Sequence, residues 1–185
     1  MLGFLVCLLV LGTTYSGRPR SLIFDSIYFR LIEPEDVAYV YRSIPAKDFG
    51  TPLMQKYATI PLVPTDPPDG CSAFMNGDDV IGAIALVTRG GCSFLSKTIV
   101  AEEHGAVAVI IADSNTKNIG NWIDMVHDYT ERGVTIPALF LLGSDGNHIK
   151  QSLLANGMKS ALISIPVNVT MYPNLLLNQP PWTLL

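Results

Sequence analysis

The sequence predicts an α/β domain. An apolar strand, a capped helix and a second apolar strand follow one another mid-chain, and the same order returns nearer the end. A third observation, two cysteines behind an apolar leader, predicts that this domain is exported and stapled by a disulfide.

The leader is the apolar run over residues 2–11, followed by Thr14-Tyr15-Ser16. Small residues at the positions a signal peptidase inspects predict cleavage before Gly17. The run is too short to span a bilayer, which needs about 20 apolar residues. Cys7 leaves with the leader, so of the three cysteines Cys71 and Cys92 remain to pair in an oxidising compartment. Closing a loop of about 20 residues contributes roughly 3 kcal/mol in the chain-entropy picture. The end of the chain, Pro180-Pro181-Trp182-Thr183-Leu184-Leu185, is no lumenal retention tag, so secretion is the expected fate.

After the leader, residues 22–31 alternate loosely and carry Phe24, Tyr28 and Phe29, as a strand does, and residues 37–42 suit a second. Six prolines between 44 and 68 forbid a long helix and predict extended edge segments and turns. Residues 80–88 form a continuous apolar run, as expected for a strand covered on both faces. Ser93 caps a helix to about His104, Gly105 stops it, and 106–112 is the next buried strand. In the second unit 136–142 is the strand, Asp145 the N-cap, Gly157 the stop and 161–166 the returning strand. The polar stretch 114–133 between the units is read with a short helix near 122–129. The expected organisation is a leader (1–16), N-terminal strands and a Pro-rich segment packing on the domain (17–60), a core (61–167) and a tail (168–185).

The net charge of −4 is scattered, and no Lys/Arg cluster offers a footprint for phosphates, which argues against nucleic acid. Asn168-Val169-Thr170 is the one N-glycosylation sequon, placed at a strand end.

Ala85-Leu86-Val87-Thr88-Arg89-Gly90-Gly91-Cys92-Ser93-Phe94, with Lys97 a turn later and Gly105-Ala106 closing the helix, resembles the core signature of protease-associated (PA) domains. Ile136-Pro137-Ala138-Leu139-Phe140 and Asp145-Gly146 match the same pattern. Ile44-Pro45-Ala46-Lys47-Asp48-Phe49-Gly50, the strand into the sequon, and Gln179-Pro180-Pro181-Trp182-Thr183 extend the likeness to small secreted glycoproteins of that family, little more than a leader and one domain. The resemblance implies a β/β/α layered fold, a mixed parallel and antiparallel sheet with flanking helices on one side, and no catalysis by the domain itself. It implies an extracellular protein or peptide as partner, or else an accessory role beside a separate peptidase.

Reactive constellations fail on spacing. Counted from Gly91, the second glycine of a phosphate loop falls on Ser96, before Lys97 and Thr98. Gly143-Ser144-Asp145-Gly146 lacks the leading glycine of a nucleophile elbow, since residue 142 is leucine. Asp124, His127 and Asp128 would share a helix face but lack a metalloenzyme spacing, and Glu102-Glu103-His104 reads as an exposed helix end. No catalytic residue, metal site or cofactor is therefore assigned. The candidate binding surface is the Arg89-Gly90-Gly91 turn, where backbone N–H groups meet a cation, together with Trp122, Met125 and Tyr129. Trp182 is expected to pack back on the domain.

Overall fold

A computed structural model describes residues 26–169 and 178–183. The leader, Thr170 of the sequon and the last two residues lie outside the described residues.

Among the described residues there are seven strands: β1 (Ile27–Glu33), β2 (Val40–Pro45), β3 (Tyr57–Pro64), β4 (Ile84–Thr88), β5 (Ala108–Ala112), β6 (Ala138–Leu141) and β7 (Ala161–Ile165). They close into a barrel in the order β1-β2-β6-β5-β4-β3-β7. The segment β3-β4-β5-β6 is parallel, and every pairing of β1, β2 and β7 is antiparallel. The helices are α1 (Gly77–Val80), α2 (Phe94–Glu103) and α3 (Gly143–Ala155). The fold is mixed α/β, as the sequence predicts.

Strand alternation sorts the core into two layers. Ile84, Leu86, Ala108, Ile110, Leu139 and Leu141 face the barrel interior with Phe29, Leu31, Leu62 and Ile163. Their neighbours Ala85, Val87, Val109, Ile111 and Phe140 face outward, under Ala101 of α2 and Met125. Both layers are almost solvent-free, which explains the continuous apolar runs of β4 and β5. Each buried Leu or Ile contributes about 1.5–3 kcal/mol.

Several expectations are corrected. The two long helices do not share a side: α2 packs on the outer layer, whereas Ile149 and Leu153 of α3 join the interior. The Pro-rich stretch contains no mere edge, because β3 lies between β4 and β7. Its prolines are tolerated there because each is paired on one side only: Pro61 sits opposite Leu162 of β7 ahead of the ladder to β4, and Pro64 opposite Leu86 of β4 beyond the ladder to β7. Val80 ends α1 instead of starting β4, and Val37 lies in a 3-10 turn ahead of β2.

Residues 122–129 form no helix. Long-range bonds hold the segment instead, among them Lys47 N–H to the Met125 carbonyl (3.0 Å) and His127 N–H to the Asp48 carboxylate (2.6 Å). Tyr129 sits at φ 59°, outside helical geometry. Asp145 is not an N-cap either, since α3 begins two residues earlier behind Leu142. Gly143 lets that start approach Asn115, whose carbonyl oxygen would lie 2.0 Å from any Cβ.

Candidate binding site

The site grows from the carboxyl end of β4. Arg89 N–H donates to the Ala112 carbonyl (2.8 Å), fixing the exit of β4 against β5. Gly90 and Gly91 then turn the chain at φ 111° and 80°, a region that favours glycine. Ser93 caps α2 by accepting from Ser96 N–H at 3.0 Å, and Gly105 stops the helix at φ 76°. Both glycines of the turn are exposed, and the Gly91 N–H has no acceptor among the described residues.

The turn is clamped from below. Cys71 and Cys92 form the expected disulfide, with Cα atoms 5.8 Å apart. Lys97 is fully buried beneath it. Its ammonium donates to the carbonyls of Asp69 (2.5 Å) and Gly90, and lies 3.2 Å from Cys71 Sγ. Burial pushes the Lys97 ammonium below its ordinary range, and Asp69 opposes that shift. Lys97 therefore faces down into the protein, and no phosphate above the turn would meet it. A Cβ at Gly91 would lie 3.0 Å from both Cys71 Sγ and Asp69 Oδ2, while the space beside Gly90 is open.

Arg89 is oriented by Asp113 at the end of β5, Nη1 to Oδ1 at 3.1 Å. Asn118 Nδ2 binds the other carboxylate oxygen at 2.8 Å. Burial pushes Asp113 upward, but the hydrogen bonds from Asn118, Arg89 and the Asn115 backbone prevail and hold it below the usual carboxylate range.

On the outer side, the 113–133 loop is latched to the start of α2. Ser93 Oγ donates to Asp128 at 2.5 Å, and Arg132 reaches both Asp128 (2.6 Å) and Ser96 Oγ (2.9 Å). The bonds from Ser93 and Thr130 hold Asp128 far below the usual carboxylate range. Asp124 pairs with Lys47, so the triad Asp124, His127 and Asp128 does not converge. Among the described residues no group of three His, Cys, Asp or Glu side chains is placed to hold a metal ion.

The three hydrophobic candidates part company. Met125 is buried at 1% exposure and anchors the loop. Trp122 is half-buried, edge-on to Phe140 and covered by the Arg42 guanidinium at 4.9 Å. Tyr129 stands out at 92% exposure beside the latch. Trp182 packs back on the domain, as expected, against Tyr39 and His148.

Sequence reasoning misses Lys150 and sets Ser144 aside with the failed nucleophile elbow. Lys150 donates to Thr88 Oγ1 (2.5 Å) at the end of β4, and burial lowers it to about 8. Ser144 Oγ is buried without a partner among the described residues, and His148 Nδ1 meets the Ser144 carbonyl at 2.7 Å, not its hydroxyl. Asn168 is exposed three residues beyond β7.

This architecture defines a class: the chain belongs to the protease-associated (PA) domain family, whose model, described as PA domain, matches residues 58–149. Over nearly its whole length it is similar to the PRADC1-like protein of Drosophila melanogaster, 39% identical over 192 residues that cover 96% of this chain and 98% of that protein. A Xenopus laevis protein, ER degradation-enhancing alpha-mannosidase-like protein 3, is 33% identical over 54% of this chain but 11% of its own length. Among solved structures, a zinc aminopeptidase from Bacillus subtilis shares the fold at TM-score 0.50 and 19% identity, over 76% of this chain and 29% of that one. No helix among the described residues is long and apolar enough to cross a membrane.

Proposed function

We propose that this chain is a secreted, N-glycosylated, non-catalytic module that binds an extracellular protein or peptide on the surface made by the Arg89-Gly90-Gly91 turn and the adjoining loop at Tyr129. The observation that carries this reading is the clamped turn. Its exposed backbone is fixed by the disulfide and by Lys97 below, by Asp113 through Arg89 at one side, and by the Ser93–Asp128 latch at the other. A surface held in one shape before contact loses less entropy on binding. The Gly91 N–H and the half-exposed Arg89 offer donors to a carboxylate or peptide carbonyl, and Tyr129 adds an aromatic contact.

The test is site-specific photo-crosslinking of the purified protein on cell surfaces and in conditioned medium. The photoreactive residue replaces Tyr129 or, as control, the exposed Leu154 on α3. One adduct at 129, absent at 154 and competed by unmodified protein but not by Arg89→Ala, supports the reading. Adducts at 154 alone, or none at 129, overturn it. An adduct with a peptidase moves the chain to the accessory role.

A further inference from the structure

The buried Lys97 ammonium has an unusual set of neighbours. It meets the carbonyls of Asp69 and Gly90, and no carboxylate lies within ion-pair distance among the described residues. Its remaining contacts are sulfur: Cys71 Sγ at 3.2 Å and Cys92 Sγ at 3.6 Å. A disulfide sulfur is a weak acceptor, whereas a thiolate is an anion. The cation thus gains an anion in direct contact when the Cys71–Cys92 bond opens, whereas the Asp69 carboxylate acts on it from beyond ion-pair distance. Stabilising the departing thiolate speeds exchange, because a leaving thiol of lower pKa leaves faster. Both cysteines are half-buried and not sealed in the core, so an incoming thiol has access.

We propose that Cys71–Cys92 is a thiol–disulfide exchange site whose co-reactant is a dithiol and whose positioning residue is Lys97. One thiol of the dithiol loses its proton to solvent, and its thiolate attacks Cys92 Sγ, forming a mixed disulfide. The Cys71–Cys92 bond breaks, and its electron pair leaves on Cys71, the sulfur nearer the ammonium. The second thiol of the dithiol, giving up its proton, then attacks its own partner sulfur in the mixed disulfide. Cys92 is released and takes up that proton, and the dithiol departs as a cyclic disulfide. Two electrons have passed to the cysteine pair, and the reverse sequence restores the bond. The consequence for binding rests on the function proposed above: opening the bond removes one clamp of the Gly90-Gly91 turn, while the Lys97 bonds to Asp69 and Gly90 keep it folded.

The test is reduction of the folded chain by dithiothreitol at pH 7, quenched by iodoacetamide and read as intact mass. Lys97→Met is expected to reduce about tenfold more slowly than wild type. Equal or faster reduction of a folded Lys97→Met protein overturns the proposal. Should that variant not fold, the reduced wild type decides alone. Alkylation of Cys71 is expected at a midpoint below the roughly 8.5 of a free cysteine, and a midpoint at or above it overturns the proposal. Neither readout involves a ligand, so its failure leaves the binding surface standing, and absence of crosslinks at 129 leaves the exchange site standing.

Discussion

Trp182 lies flat on His148, with ring centroids 3.8 Å apart and planes 9° from parallel, and its indole N–H donates to Asp145 at 2.7 Å. The tail thereby covers a carboxylate near the start of α3, at the rim of a cavity of about 240 Å³ lined also by Tyr28, Tyr41 and Trp122.

That cover makes stability depend on acid. Burial raises Asp145 to about 6, against smaller opposing effects from the Trp182 hydrogen bond and His148. A raised carboxyl binds its proton more tightly in the folded chain than in the unfolded one. Its contribution is therefore complete below about pH 4 and lost as pH rises through about 6, on the order of 3 kcal/mol in all. Asp145→Asn, which keeps an acceptor for Trp182, is expected to flatten this part of the profile. Denaturant titrations at pH 4, 5.5 and 7.5 check it, and an unchanged profile refutes the assignment.

The two glycines of the turn are expected to differ. Alanine at Gly90 meets open space and suffers only the backbone strain, about 1–2 kcal/mol. Alanine at Gly91 adds a clash with Cys71 Sγ and Asp69, so a loss of about 2–4 kcal/mol is expected. Parallel urea melts of the two variants measure the gap, and equal losses would contradict the packing under Gly91.

Ser93 serves two partners, the Ser96 N–H as cap and Asp128 as latch. Ser93→Ala is expected to lose about 1–2 kcal/mol from the cap. It should also raise amide exchange across residues 122–133, whereas a cap without a latch would leave that loop as protected as before.

The proposed export is checked on protein recovered from the medium. Asn168→Gln should abolish the mass shift produced by an N-glycosidase, and the mature chain should start near Gly17. A glycosidase shift that persists would place the sugar elsewhere, and a retained leader would refute secretion.

What the sequence disclosed and what it hid divide along contact range. The cap at Ser93, the stop at Gly105 and the buried runs of β4 and β5 follow from local chemistry and are legible, and the pairing of Cys71 with Cys92 is legible because only two cysteines follow the leader. The course of residues 122–129 was not, because Asp48 and Lys47 fix it from almost 80 residues away. Their polar spacing imitates a helix face that the tertiary contacts override. Lys97 is legible as part of a motif, but its descent beneath the turn depends on where Asp69 lies. The role of β3 was hidden because prolines signal an edge, and only the register with β4 and β7 reveals how a central strand carries them.

The strand order also fixes when the barrel can be completed. β7, the last strand among the described residues, is the piece that joins β1 to β3. While the polypeptide is being synthesised, β1 and β3 therefore wait with unpaired backbone facing outward until residues 161–165 emerge. Open strand edges are templates for pairing with other chains. A nascent or truncated chain that stops short of Ala161 would carry two such edges at once, so the closing strand acts as the molecule's own protection against aggregation during biogenesis.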